Sequence, residues 1–155
     1  MGGEVKKLEV KVPMKHPASL VWKTWIHEVE SLPSLLPGHF DTIQHTHGPP
    51  LTPGSIFEAS YSEDVSHYNF LKARWDEIDH QNFSFKATII DGGALGKHFN
   101  HLCYLLNVVP GNDPNTCLLD CAVEYEDIGD HTFHDFIKEE IEKVANTINA
   151  HLSSL

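Results

Sequence analysis

At 155 residues the chain is long enough for one sizeable core and too short for two ordinary domains, so a single domain over 1–155 is expected. Its composition, 41% hydrophobic and 21% charged, is globular and lacks the low hydrophobicity of a disordered chain. A formal charge of -11, from 11 basic and 22 acidic side chains, repels phosphate backbones and anionic membranes, which argues against nucleic acid or membrane as partners.

The N-terminal run MGGEVKKLEVKV has no apolar stretch of signal-peptide type, and no segment approaches the ~20 apolar residues of a membrane span. Gly2 lacks the Ser or Thr that N-myristoylation wants where Lys6 stands, so a cytoplasmic protein is expected. Residues 4–12 then alternate, with Leu8, Val10 and Val12 inward, as a first strand that Pro13 ends. Pro17 suits the first turn of a helix whose apolar side is Leu20, Val21, Trp25 and Ile26. A second short helix, about 28–36, is closed by Pro37-Gly38.

Strand-like stretches follow at about 39–47, 55–62, 66–77, 82–91, 98–109 and 115–126. The connections carry turn residues: Gly48-Pro49-Pro50 with Pro53-Gly54, Asp76 to Asp79, Asp91-Gly92-Gly93, and Pro110 to Pro114. Connections this short imply antiparallel neighbours in a meander. The period-2 faces are Phe57, Ala59 and Tyr61; Tyr68 and Phe70; Phe83, Phe85, Ala87 and Ile89; Leu102, Tyr104, Leu106 and Val108; and Leu119, Cys121, Val123 and Tyr125. Lys72 shares parity with Tyr68 and Phe70 and faces inward unless a bulge intervenes. Cys103, Cys117 and Cys121 are odd in number and without CxxC spacing, which suits reduced, packed thiols.

From about 130 to 152 the period changes. Phe133, Phe136, Ile137, Ile141, Val144 and Ile148 recur at three- and four-residue spacing along one long amphipathic helix. Glu140 falls in the middle of that stripe at 100° per residue. Either it reaches water past the end of the sheet, or it sits inside as an acceptor for ligand N–H groups. On the second reading Glu140→Leu is expected to leave stability unchanged or improved. The assembly is α+β: a seven-stranded curved antiparallel sheet wrapped around the C-terminal helix, with two short helices after the first strand.

The run Asp76-Glu77-Ile78-Asp79-His80-Gln81-Asn82-Phe83, followed by Ile89-Ile90-Asp91-Gly92-Gly93 and Leu95-Gly96, resembles the central signature of the birch-pollen-allergen family. These are class-ten pathogenesis-related proteins of plants, within the START-like helix-grip superfamily. The resemblance implies a helix-grip fold enclosing a hydrophobic cavity for small hydrophobic or amphipathic ligands, such as a cytokinin-like hormone or a flavonoid. It places Phe57, Ala59, Tyr61, Tyr68, Phe70, Phe85, Ala87, Ile89, Leu102, Tyr104, Leu106 and Tyr125 along the cavity, and the spacing of the C-terminal helix sets Phe133, Phe136, Ile137 and Glu140 opposite them. The family's glycine-rich loop reads Gly48-Pro49-Pro50-Leu51-Thr52-Pro53-Gly54 here, and so many prolines leave too few backbone N–H groups to cradle phosphate.

Binding, storage or transport of a small molecule is therefore the expected function, by a monomer or weak dimer without cofactor. Apolar, Tyr-tipped faces are equally the mark of a filled core. Relatives that catalyse alkaloid-forming condensations or isomerisations offer an enzymatic alternative, and a ligand-dependent interaction module is a third. No catalytic residue is assigned. Among 12 histidines, His45 with His47, His98 with His101, and His131 with His134 are spaced to suggest metal, but no carboxylate or thiolate completes a set, and no metal site is assigned.

Overall fold

The computed structural model describes residues 5–62, 69–93, 95, 98–128 and 133–155, apart from the side chains of Asp127, Phe133 and His134. Its strands are β1 (Lys6–Met14), β2 (Phe40–His47), β3 (Ile56–Tyr61), β4 (Phe70–Asp79), β5 (Ser84–Gly92), β6 (Phe99–Pro110) and β7 (Cys117–Asp127). They form one antiparallel sheet in the order β1-β7-β6-β5-β4-β3-β2. Helices α1 (Ala18–Trp22) and α2 (Leu32–Leu35) lie between β1 and β2, and α3 (Phe133–Ser153) closes the chain. α3 buries Ile137, Ile141, Val144, Ala145, Ile148 and Leu152, and runs closest to β1. No described helix is long and apolar enough to cross a membrane.

Several details differ from the sequence reading. Pro13 does not end β1, which continues to a buried Met14, because β1 is an edge strand and can accommodate a residue without an N–H. The first helix buries Ala18, Val21 and Trp22, and a π-helical turn over Lys23–His27 then shifts the apolar face so that Ile26 is buried and Trp25 is half-buried. The third concerns β4. Cross-strand partners share a face, and β4 pairs Ala73 with Phe57 and Leu71 with Ala59. Leu71, Ala73 and Trp75 therefore face inward, while Phe70 and Lys72 face out opposite Ser60 and Glu58.

Two register shifts between β4 and β5 preserve this arrangement, one passing over Asp76 and the other over Ile90. The Thr88 hydroxyl donates to Asp76, as does Arg74 Nε–H at 2.7 Å. At the turn, Asp79 accepts the backbone N–H groups of Gln81 and Asn82, each at 3.0 Å, and the Asn82 amide at 2.8 Å. These bonds, the Asn82 amide first, hold its carboxyl below the usual carboxylate range. The turn thus falls at 80–83, capped by Asp79, rather than at Asp76 to Asp79, which belong to β4, and it delivers Phe85, Ala87 and Ile89 to the inner face of β5.

Candidate functional site

A cavity of about 140 Å3 lies between α3 and the inner face of the sheet. β3 supplies Phe57, Ala59 and Tyr61; β4 Leu71, Ala73 and Trp75; β5 Phe85, Ala87 and Ile89; and β6 Tyr104 and Leu106. α3 adds Glu140, Ile141 and Val144, and the turns around α2 add Trp25, Ile26, Val29 and Leu32. Phe40 and Ile43 of β2 and Cys121 of β7 fill the remaining wall. Its size matches cavities of about 150 Å3 that hold a single benzene ring, and falls below the ~300–1,000 Å3 usual for drug-sized ligands.

The structure brings together Phe57, Ala59, Tyr61, Phe85, Ala87, Ile89, Tyr104, Leu106 and Glu140 from the set named in the sequence. Leu102 and Ile137 are buried and Tyr125 and Phe136 half-buried, but none of them lines this cavity; Tyr125 instead meets Phe99 edge-on at 5.4 Å. Phe70 is a correction: its ring lies on the outer face beside Gly92, because pairing with β3 sets the parity of β4. Tyr68 and the side chain of Phe133 lie outside the described residues. Trp75 escaped the sequence reading for the same reason that Phe70 entered it. Pairing Ala73 against Phe57 before assigning faces corrects both.

One end of the cavity is polar. Glu140 neither reaches bulk water nor stands unaccompanied: His39 Nε2–H donates to its Oε2 at 2.9 Å, and the two side chains are 11% and 6% exposed. The turn after Pro37-Gly38 positions His39, whose N–H donates to Leu36 O and whose carbonyl accepts from Ser62. Tyr61 packs edge-on against the His39 ring at 5.4 Å. Burial first, then the charge of Glu140, pushes the Tyr104 phenol well above its ordinary value, so it is a hydrogen-bond donor at neutral pH. The Tyr104 side chain lines the cavity. Cys121 on the same wall is inert, its thiol pushed up by burial to about 12.

The histidines divide differently from their spacing. His45 shares the inward face of Ile43 by simple alternation, opposite Phe57, and the register shift after it breaks the alternation so that His47 is exposed. His27 Nε2 lies 2.9 Å from His80 Nδ1, but the Trp22 indole N–H also points at that nitrogen, at 3.3 Å, where a metal would need to stand. Among the described residues no group of three or more His, Cys, Asp or Glu is placed to hold a metal ion. In the 48–54 loop, Gly54 N–H donates to Trp75 O, Thr52 N–H to Ser55 Oγ and Leu51 N–H to His45, leaving no inward-facing cradle of donors.

The chain is 28% identical over 151 residues to the major pollen allergen Cor a 1 of Corylus avellana, covering 93% of this chain and 91% of that one. It is 29% identical over 141 residues to the major pollen allergen Bet v 1-B of Betula pendula, covering 88% and 86%. Among solved structures, Ara h 8.0201 superposes with a TM-score of 0.83 at 17% identity, over 98% of this chain and 100% of the other. Norcoclaurine synthase from Thalictrum flavum, in complex with dopamine and hydroxybenzaldehyde, superposes with a TM-score of 0.79 at 18% identity, over 99% and 89%. These structural likenesses carry the fold, seven antiparallel strands gripping a C-terminal helix. With residues 3–155 matching its family model, this chain belongs to the pathogenesis-related protein Bet v 1 family.

Proposed function

We propose that the protein binds a small amphipathic molecule in this cavity, as a carrier or store in the cytoplasm, acting as a monomer or weak dimer. Proteins of the family bind small hydrophobic ligands. The observation that carries the reading here is a protonated Tyr104 phenol within reach of the Glu140 charge, both lining an otherwise apolar, aromatic-walled space. Such a site favours a ligand with a ring for Phe57, Trp75 and Phe85, an acceptor for the phenol and an N–H donor for the carboxylate.

The edge of a cytokinin-like adenine carries both kinds of group, and a flavonoid carries hydroxyl donors and a carbonyl. The present volume admits one ring, so a two-ring ligand with a tail requires a wall side chain to move. Affinity near micromolar, about -8 kcal/mol, is expected. Calorimetry with N6-isopentenyladenine, paired with a soaked crystal, tests this. Ligand density confined to the outer surface would refute it.

A second reading, proton-transfer catalysis, is favoured by the same Glu140, His39 and Tyr104. Norcoclaurine synthase shows that the fold accommodates an amine and an aldehyde, but no lysine lines this cavity among the described residues. Acid–base work would then fall to Glu140 and Tyr104. Product formation from dopamine and 4-hydroxybenzaldehyde that is lost in Glu140→Gln would favour catalysis over carriage; no turnover above background would dismiss it.

A further inference from the structure

Trp75 forms one wall of the cavity, with its ring 4.8 Å from Phe57 and 5.0 Å from Phe85. Its position is fixed from behind by His45. An indole N–H only donates, so at 3.1 Å Trp75 Nε1–H must give its hydrogen bond to a lone pair on His45 Nε2. The Leu51 N–H points at the same nitrogen from 3.4 Å. In this arrangement the single proton of His45 sits on Nδ1.

His45 is enclosed, its side chain 4% exposed. Nδ1 is buried without a hydrogen bond; Glu30 Oε2 stands 3.4 Å away but accepts the His45 backbone N–H at 2.8 Å instead. Glu30 is the charged group facing the imidazole from the turn before α2. β3 brings the Phe57 ring at 6.1 Å, β4 the Trp75 ring, and the 48–54 loop a peptide N–H. A second proton on His45 would place three N–H groups, its own and those of Trp75 and Leu51, around one point with no acceptor among them.

We propose that His45 determines which ligands the cavity admits: as a neutral acceptor it holds Trp75 in the wall, and a second proton releases that ring and widens the space. This rests on the cavity being the ligand site. Displacing an indole frees room on the scale of a whole ring, which is what a two-ring ligand lacks in the present cavity.

Other histidines also hold hydrogen bonds through their ring nitrogens. His80 Nδ1 accepts from Trp22 at 3.3 Å and contacts His27 at 2.9 Å, its Nε2–H donates to Leu51 O at 3.3 Å, and His39 pairs with Glu140. A pH profile alone is therefore not diagnostic, and the test compares variants. Toluene, one ring, and N-phenyl-1-naphthylamine, three rings and fluorogenic, are titrated into wild type, His45→Gln, His45→Leu and Trp75→Phe at pH 7.5 and 5.5. Gln offers an acceptor at the position of Nε2 and does not titrate. Wild type is expected to bind the naphthylamine about tenfold more tightly at pH 5.5, the equivalent of one hydrogen bond. His45→Gln should keep the weak affinity at both pH values, and His45→Leu the tight one. Trp75→Phe, which has no N–H to anchor, should be pH-independent and keeps the test open if His45→Leu fails to fold. Retention of the wild-type pH step in His45→Gln or Trp75→Phe overturns the role of His45. Toluene binding throughout with no naphthylamine response overturns it while sparing the cavity; failure of both probes in every protein overturns the cavity reading as well.

Discussion

Replacing Glu140 with leucine separates two accounts of why a carboxylate interrupts the apolar stripe of α3. The helix alone suggests that leucine fits the stripe and leaves stability unchanged or better. The structure reverses that expectation, because His39 Nε2–H, on a 6% exposed side chain, loses its acceptor at 2.9 Å. An unsatisfied buried donor costs about 1–3 kcal/mol. The added apolar burial returns about 1 kcal/mol. Glu140→Leu should therefore destabilise by up to about 2 kcal/mol, lowering the melting temperature by about 2–4 °C per kcal/mol in a chain of this size. His39→Leu should cost a similar amount by taking that N–H donor away from the buried carboxylate. The double variant His39→Leu/Glu140→Leu removes both polar groups and should return to wild-type stability or exceed it, a coupling of about 1–3 kcal/mol. Urea unfolding of all four proteins at pH 7, with unchanged m-values, measures the cycle. Additive effects, or a single Glu140→Leu variant more stable than wild type, would refute the reasoning.

Gly92 has φ +71, and an added Cβ would stand 2.5 Å from Phe70 O, so Gly92→Val should cost about 3 kcal/mol or more in urea unfolding while leaving affinity at the inner face intact. Ala87→Leu grows into the cavity and should raise stability by about 1–2 kcal/mol while abolishing calorimetric binding of N6-isopentenyladenine; binding that survives would place the ligand elsewhere. Burial pushes the thiols of Cys117 and Cys121 up from 9.0 to about 11 and about 12, so the folded chain keeps these protons longer than the unfolded chain. Stability is then unaffected below pH 9 and falls as pH rises toward 11 and 12, by about 1.4 kcal/mol per unit for Cys121. Cys121→Ala should flatten that alkaline slope in pH-dependent unfolding, and an unchanged slope would count against the buried thiol as its source.

Period-2 alternation was sufficient for β3, β5 and β6, where large and small apolar residues alternate cleanly and the face assigned from Phe57, Phe85 or Tyr104 is the one observed. It failed for β4 because FLKARW offers a large residue on either parity, Phe70 on one and Leu71 and Trp75 on the other. Only pairing with β3 breaks the tie. The glycines at 92 and 93 were legible as a positive-φ turn from their identity, and both have φ in that region. His39 was not legible. It lies 101 residues from Glu140, just before a strand, and no local period links a turn residue to a helix stripe. The tryptophan–histidine bond was hidden in the same way, since Trp75 and His45 are 30 residues apart and lie on strands that only the sheet order brings near each other.

The cavity itself follows from side-chain size in register. Ala59, Ala73 and Ala87 occupy inward positions on three successive strands, and each faces a large residue across the ladder: Ala59 pairs with Leu71, Ala73 with Phe57 and Ile89, and Ala87 with Trp75 and Tyr104. The large neighbours project toward α3 and hold it off, while the alanines leave the space between them open. α3 approaches the sheet most closely at β1, the edge far from these strands in the sheet order, so the gap widens where the alanines stand. Repacking cannot remove such a space without bending the helix or enlarging an alanine, and bending the helix costs contacts already made at β1. Glu140 looks into the gap because its neighbour Ile141 and Val144, one turn along, line the same cavity. A carboxylate set there in an apolar space needs a fixed partner, and His39 supplies it from the turn before β2. The opening left by three alanines and the polar end set by one hydrogen-bonding turn are thus separate features of the sequence, and substitutions at one should change ligand size without changing which polar group is recognised at the other.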